Sequence, residues 1–303
     1  MARLPQATRR YDFRFFDSDR WRDFRPRSDD VFVCTAYKAG TTWMQMICAL
    51  LILGTPRLDR PLGRISPWLE RDTSPIETVL ATLEAQTHRR FIKTHTPLDG
   101  LPFFADATYL FVGRDPRDVF LSMRNHILNA KQKPKGMAGG GDWPEVPDDV
   151  CAFFRKWMTT GFFPWEKDGW PSWSMLHHAL TFWEFRDQPN IHLFHYADML
   201  ADLDREMRRV AAALDIAVDE ARWRELVEAA SFDSMRGNAE MLAPGADRNA
   251  WHDTARFFNK GSSGQWRGVL GEEELALYDR AMAERLPPEL HRWLEQGGDL
   301  PEE

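Results

Sequence analysis

A chain of 303 residues with 43% hydrophobic residues, 13 Trp and 20 Phe among them, has the apolar mass for one large α/β domain or two small ones. Its formal net charge of −7 sets aside a general nucleic-acid binder, which needs a basic face, and leaves room for a local basic pocket. Cys34, Cys48 and Cys151 are too few for a disulfide framework and lack metal-ligand spacing, so they read as reduced thiols.

The N-terminus is polar and Arg-rich, with no apolar h-region. The longest apolar run, 44–53, is broken by Gln45 and is too short to span a bilayer. A cytoplasmic protein without a membrane span is expected.

The first β-leaning run, 31–35, passes into Ala36-Tyr37-Lys38-Ala39-Gly40-Thr41-Thr42-Trp43 and then an apolar helical stretch over 41–53. A tight loop between strand and helix gathers backbone N–H groups at a positive dipole end, which suits an anion. Lys38 adds a charge, Gly40 allows close backbone approach, Thr41 and Thr42 offer hydroxyls, and Trp43 can stack on a base. Taken alone, the pattern also describes a capped helix with an incidental lysine. It is not the Walker A pattern, whose lysine directly precedes Ser/Thr, and no Mg²⁺-binding carboxylate follows a strand. A nucleotide kinase is therefore disfavoured.

Next, Ser74-Pro75-Ile76-Glu77 reads as a capping box with proline at N1, opening a helix over 75–86. The second run, 90–94, ends in Lys93-Thr94-His95-Thr96-Pro97. A lone histidine is as often structural as catalytic, but here it stands at a strand end beside a lysine. The third run, 109–113, leads into Arg114-Asp115-Pro116-Arg117-Asp118, with Asp115 as N-cap of a helix reaching about residue 128. The stretch 131–147, rich in Lys, Gly and Pro, is expected to be a mobile loop. Around and beyond it crowd Trp143, Phe153, Phe154, Trp157, Phe162, Phe163, Trp165, Trp170 and Trp173, either an apolar acceptor pocket or helix packing. The fourth run, 191–195, precedes Tyr196 and a helix over 198–214.

Buried runs alternating with helices predict a single α/β domain over 1–303, a three-layer sandwich around a central parallel sheet. In such sheets ligands sit at the C-terminal ends of the strands, where Lys38, His95, Arg114 and Tyr196 all fall.

These junction motifs together resemble the cytosolic-type sulfotransferases that use PAPS (3′-phosphoadenosine-5′-phosphosulfate). Lys38-Ala39-Gly40-Thr41-Thr42-Trp43 resembles that family's P-loop-like 5′-phosphosulfate loop, with Ala39 in place of a serine. Lys93-Thr94-His95-Thr96-Pro97 resembles the segment carrying its general base, which implies that His95 takes the acceptor's proton while Lys38 and Lys93 steady the departing phosphate. Gly113 to Ser122 resembles the 3′-phosphate motif, implying that role for Arg114 and Ser122. Tyr196 and Phe232 resemble aromatics that contact adenine, Phe232 across from Trp43. Asn259-Lys260-Gly261-Ser262-Ser263-Gly264-Gln265-Trp266 resembles the closing loop, with Asn259 standing for an arginine and Gln265 for an aspartate. Arg256 and Arg267 are candidates to replace the lost guanidinium.

The resemblance implies sulfuryl transfer by in-line displacement, with PAPS as co-substrate, PAP (the desulfated nucleotide) as product and no metal. The partner would be a small-molecule acceptor with a hydroxyl or amine, apolar or aromatic in part, and not nucleic acid. The family's dimerisation pattern is not recognisable over 267–276, which leaves the oligomeric state open. Ala39 and Asn259 keep alive a second reading, a homologue that binds PAP or PAPS with impaired catalysis.

Overall fold

A computed structural model describes residues 3–13, 15–131, 145–217 and 219–300. A short antiparallel pair, β1 (Asp12–Phe13) and β2 (Phe16–Asp17), precedes four parallel strands: β3 (Val31–Thr35), β4 (Phe91–Thr94), β5 (Thr108–Gly113) and β6 (Ile191–His195). Their order in the sheet is β4-β3-β5-β6. The helices are α1 (Thr41–Leu53), α2 (Leu62–Ile65), α3 (Ile76–Glu84), α4 (Pro116–Asn129), α5 (Val150–Thr159), α6 (Met175–Trp183), α7 (Tyr196–Ala201), α8 (Leu203–Ala213), α9 (Glu220–Ala229), α10 (Phe232–Gly237), α11 (Ala239–Leu242), α12 (Glu272–Arg285) and α13 (Pro288–Gln296).

The two-residue period of the strands sorts their side chains between two cores. Val31, Val33, Leu110 and Val112 pack with α1, α8 and α9. Phe32, Cys34, Tyr109 and Phe111 pack with α4, α5, α6, α12 and α13. The strands are apolar along their length because both faces are covered, as the three-layer reading requires. Phe153, Phe154 and Trp157 lie in this second core, so for them the crowded aromatics are helix packing.

Two helices differ from the sequence expectation. Ser74 does not cap α3: Pro75 is the N-cap, in extended conformation, and no side chain closes the turn. The Ser74 carbonyl instead accepts from Arg20 Nη2 at 3.0 Å, which holds it outside the helix. The single helix expected over 198–214 is two, α7 and α8, because Asp202 leaves helical geometry and its carboxylate caps the amide of Arg205. Most of the proposed mobile loop, residues 132–144 with Trp143, lies outside the described residues.

A buried ion pair sets the starting edge of the sheet. Asp30 and Arg90 immediately precede β3 and β4, and both side chains are fully buried. Arg90 Nε reaches Asp30 Oδ1 at 2.7 Å and Nη2 reaches Oδ2 at 2.5 Å, while the Val31 amide donates to the Arg90 carbonyl. With the strand starts aligned, the register sets Cys34 beside Thr94, Thr35 beside Val112 and Gly113 beside His195. The residues following all four strands therefore converge at the opposite edge. Arg90 Nη1 also pairs with the more exposed Glu84 at 2.9 Å, yet removing Asp30 still breaks the buried pair, which costs about 3–5 kcal/mol. Asp30→Ala should lower the urea-unfolding free energy by about that amount; a loss under about 1 kcal/mol would contradict this role for the pair.

Candidate active site

Thr35 ends β3 and the chain turns sharply into α1. Lys38 takes a left-handed φ of 67° and Gly40, the N-cap of α1, a φ of 119°. A Cβ at Gly40 would come within 3.2 Å of the Tyr196 ring, so glycine serves both the backbone and the close approach. The first-turn amides of Gly40, Thr41, Thr42 and Trp43 find no acceptor among the described residues, although the threonine and tryptophan side chains are buried. Buried amides at a helix N-terminus call for an anion. Ala39 is turned inward: it does not reach the cavity, and its amide closes a turn on the Ala36 carbonyl.

Above this turn lies a cavity of about 280 Å³, bordered by Lys38, Gly40, Thr41, Thr42, Trp43, Lys93, His95, Arg114, Ser122, Tyr196, Phe232, Asn259, Lys260 and Gly261. Every site residue expected from the sequence is thus brought together except Ala39.

His95 is buried at the end of β4. Its Nδ1–H donates to the Thr35 carbonyl at 2.9 Å, which leaves the lone pair on Nε2. The Tyr37 ring stacks on the imidazole at a centroid distance of 4.3 Å, and Trp68 meets it edge-on at 5.2 Å. Burial, reinforced by Lys93, holds the imidazole pKa well below its ordinary value, so His95 is neutral at neutral pH. Burial likewise pushes Lys38 and Lys93 down to about 7, aided by Arg114 for Lys38 and by Arg71 for Lys93.

Arg114 ties three segments together. Nη1 donates to the Lys38 carbonyl at 2.9 Å, Nη2 lies 3.5 Å from the Ser262 carbonyl, and the guanidinium sits 3.9 Å over the Tyr196 ring. Its Nε is buried without a partner. The loop carrying Lys260 and Gly261 docks onto α4 through Asp118, which accepts from the amides of Gly264 (2.7 Å) and Gln265 (2.8 Å). Gly261, at φ 59°, lies so near Phe232 that a Cβ would come within 2.3 Å of its ring. Trp43 donates from Nε1 to the Ala230 carbonyl at 2.9 Å and meets Tyr196 edge-on. Asn259 borders the cavity, whereas Arg256 and Arg267 do not.

Several bordering residues had no sequence motif to announce them: Phe15, Trp68, Arg71, His126, Arg248 and Trp251. His126 stands one turn beyond Ser122 on α4, and its Nδ1 lies 3.3 Å from Lys38 Nζ. A helical projection of α4 would have put it on the Ser122 face. The aromatic wall comes from Tyr37, Trp68 and Phe15, and none of the eight described aromatics among those singled out from 143–173 borders the cavity. Trp173 acts from behind, donating its Nε1 hydrogen to the His95 carbonyl at 2.9 Å.

The charge balance is one-sided. Lys38, Arg71, Lys93, Arg114, Lys131, Arg248 and Lys260 all border the cavity, and among the described residues no Asp or Glu does. The nearby acids are already engaged. Glu70 accepts from Trp21, Trp68, Thr94 and Thr96, Asp115 pairs with Arg117, and Asp118 holds the closing loop. Such a cavity fits a ligand with several negative charges and an aromatic portion.

Comparison with known proteins agrees with this chemistry. The family described as "Sulfotransferase domain" matches residues 28–290. A glycolipid sulfotransferase of Mycobacterium tuberculosis is 38% identical over 301 residues, covering 93% of this chain and 92% of the relative. Rat sulfotransferase 1A1 is 26% identical, covering 88% and 87%. In fold, the chain is similar to a mouse sulfotransferase solved with PAP (TM-score 0.70, 21% identical, 91% of this chain and 92% of that one). It is also similar to a retinol dehydratase solved with androsterone and PAP (TM-score 0.68, 21% identical, 90% and 87%). The chain belongs to the sulfotransferase domain family and is an enzyme that moves a sulfuryl group from PAPS to an acceptor.

Proposed function

We propose that the cationic cavity holds PAPS against His95, and that His95 is the general base for a hydroxyl-bearing, partly apolar small molecule of the glycolipid class. The observation that carries this reading is the placing of a neutral, tautomer-fixed histidine on a cavity bordered by seven cations and no acid among the described residues. When bound, PAPS supplies an activated sulfuryl group on its 5′-phosphate and a 3′-phosphate that sets it apart from ATP.

In this reading the unpartnered amides of α1 and the hydroxyls of Thr41 and Thr42 hold the 5′-phosphate. Lys38 and Lys93 carry positive charge beside it, where charge grows on the leaving group. Arg114, with its buried and unpartnered Nε, takes the 3′-phosphate together with Ser122, Lys260 and Gly261. Trp43, Tyr196 and Phe232 enclose the adenine, and Asn259 faces the same end without a charge. Nε2 of His95 takes the acceptor's proton, and the Thr35 carbonyl steadies the N–H on the other side of the ring. The acceptor assignment is supported by the 38% identity to a protein named a glycolipid sulfotransferase and by the faces of Trp68, Tyr37 and Phe15, which suit sugar C–H groups and alkyl chains.

The same reading takes 1–303 as a single sulfotransferase domain, since the family match spans 28–290 and the N-terminal residue Phe15 reaches the cavity. Three free cysteines, two of them buried, are in keeping with a cytoplasmic setting.

His95→Ala should lower kcat by roughly 100-fold or more while the Kd for PAP stays within about threefold. Activity within tenfold of the parent enzyme would remove His95 as the base. The lysines give an independent test. With pKa values near 7 in the free protein, both are largely neutral above pH 7, and a bound polyanion restores their protons. PAP binding at pH 8 should therefore take up protons, seen as a difference between calorimetric enthalpies in Tris and HEPES, and should weaken as pH rises above about 7. Equal enthalpies in the two buffers would contradict the placement of these lysines at the phosphate.

A further inference from the structure

The donor accounts for only part of the positive charge. Lys38, Arg114 and Lys260 border the cavity with Trp43, Tyr196 and Phe232, Arg114 lying over Tyr196; Arg71 borders it beside Trp68, with Arg248 near enough to Arg71 and Lys93 to repel both. The Arg71 guanidinium lies over the rings of Phe15 (5.7 Å) and Trp68 (5.8 Å), and Lys93 Nζ lies 4.7 Å from the same Trp68 ring. This is the aromatic end, where the acceptor would sit.

Arg71 makes no ion pair among the described residues, and its Nε is buried without a hydrogen-bond partner. Of the two carboxylates that flank it in sequence, Asp72 stands outside ion-pair distance and Glu70 is already taken. Glu70 already accepts from Trp21 Nε1 at 2.8 Å, Trp68 Nε1 at 2.5 Å, Thr96 Oγ1 at 2.6 Å and the Thr94 hydroxyl. Among the described residues Arg248 meets only Asp247, at 3.8 Å, and Asp247 is shared with Arg64 at 3.5 Å. Lys131 is different, because its ammonium is taken by Asn249 Oδ1 at 2.6 Å.

Arg71 also stays where it is for backbone reasons. Its amide donates to the Trp68 carbonyl at 3.4 Å, and the residue bridges to Phe16 of β2. The guanidinium is thus presented at the aromatic end by fixed backbone. Burial and the nearby Arg248 push Arg71 down to about 10, still charged at neutral pH. Arg71 and Arg248 are near enough to repel, Asp72 and Asp247 stand outside ion-pair distance of Arg71, and an anion between the two guanidinium groups relieves that repulsion.

We propose that the acceptor itself is anionic: besides its hydroxyl it carries a carboxylate, phosphate or sulfate that Arg71 and Arg248 bind, so the enzyme prefers acidic over neutral glycolipids. The inference rests on the reading of the aromatic end as the acceptor site. An acceptor anion there is separate from the donor's phosphates, and the guanidinium fork offers it two parallel hydrogen bonds that an ammonium does not.

The test uses two probes that differ only at one carbon, dodecyl β-D-glucopyranoside and dodecyl β-D-glucuronide, below their micellar concentrations. Binding of each to the full chain saturated with PAP is measured by calorimetry, for the parent protein and for Arg71→Gln/Arg248→Gln. The expected result is a Kd for the glucuronide at least about tenfold below that of the glucoside. In the double variant the preference should fall below about threefold, with the Kd for the glucoside little changed. Equal or undetectable binding of both probes would overturn the proposal, as would a preference that survives the double substitution. Competition between the glucuronide and PAP would also overturn it, since the carboxylate would then be in the donor end. Failure of the parent protein to bind PAP at all would fall on the donor reading, and the same comparison run without PAP would still decide the acceptor's charge preference.

Discussion

Positive charge gathered in a cavity that no Asp or Glu borders among the described residues is the constraint around which this molecule is arranged. Charged groups taken out of water cost several kcal/mol each unless they are paired. The fold nonetheless brings Lys38, Lys93, Arg71, Arg114 and Arg248 to one cavity while committing the neighbouring carboxylates elsewhere. Glu70 collects four donors, Asp115 caps α4 and pairs with Arg117, and Asp118 receives two loop amides. The protein as a whole is acidic, at −7, so the concentration of cations is local and built by the topology.

The topology does this economically. In a parallel sheet all strands run the same way, so the residues that follow them share one edge. A buried Asp30–Arg90 pair aligns the starts of β3 and β4, and the register carries that alignment through to Thr35 and His95 at their ends. From there the linkage is by hydrogen bonds to backbone: His95 to the Thr35 carbonyl, Arg114 to the Lys38 and Ser262 carbonyls, Trp173 to the His95 carbonyl. Each charged or titratable group is thereby oriented by a neutral acceptor or ring and retains its capacity for a ligand. The same burial lowers the pKa of His95 and of both lysines, so under the proposed function the base is ready near neutral pH and the lysines respond to the arrival of an anion.

What could be read in the sequence was what local chemistry dictates. The apolar runs became strands within a residue of their expected bounds, since two covered faces demand unbroken apolar sequence. Lys38-Ala39-Gly40-Thr41-Thr42 was recognisable because a left-handed turn before a helix needs glycine. Asp115 with Pro116 marked α4 by the same kind of local rule. Tertiary contacts were illegible. Ser74 lost its cap to a contact from Arg20, 54 residues earlier, and Asp202 broke a helix that periodicity alone would continue. The aromatic wall came from Phe15, Tyr37 and Trp68, which are joined only by packing and by isolated bridges such as Trp68 to Lys93. The crowded aromatics after residue 150 drew attention, yet Phe153, Phe154 and Trp157 sit at helical spacing on α5 and belong to the core. Arg71 and Arg248 carried no motif at all, and what gives them meaning is their place on a cavity that no Asp or Glu borders among the described residues.

The measurement closest to the centre of this account is thermal unfolding with PAP, 5′-AMP and ATP–Mg²⁺ compared at equal concentration. A ligand at 100 times its Kd stabilises the folded state by about 2.7 kcal/mol. The account predicts a clear rise in Tm with PAP, a much smaller one with 5′-AMP, which lacks the 3′-phosphate, and none with ATP–Mg²⁺. An equal rise with ATP–Mg²⁺, or no rise with PAP, would contradict the assignment of the cationic cavity to a 3′-phosphorylated nucleotide.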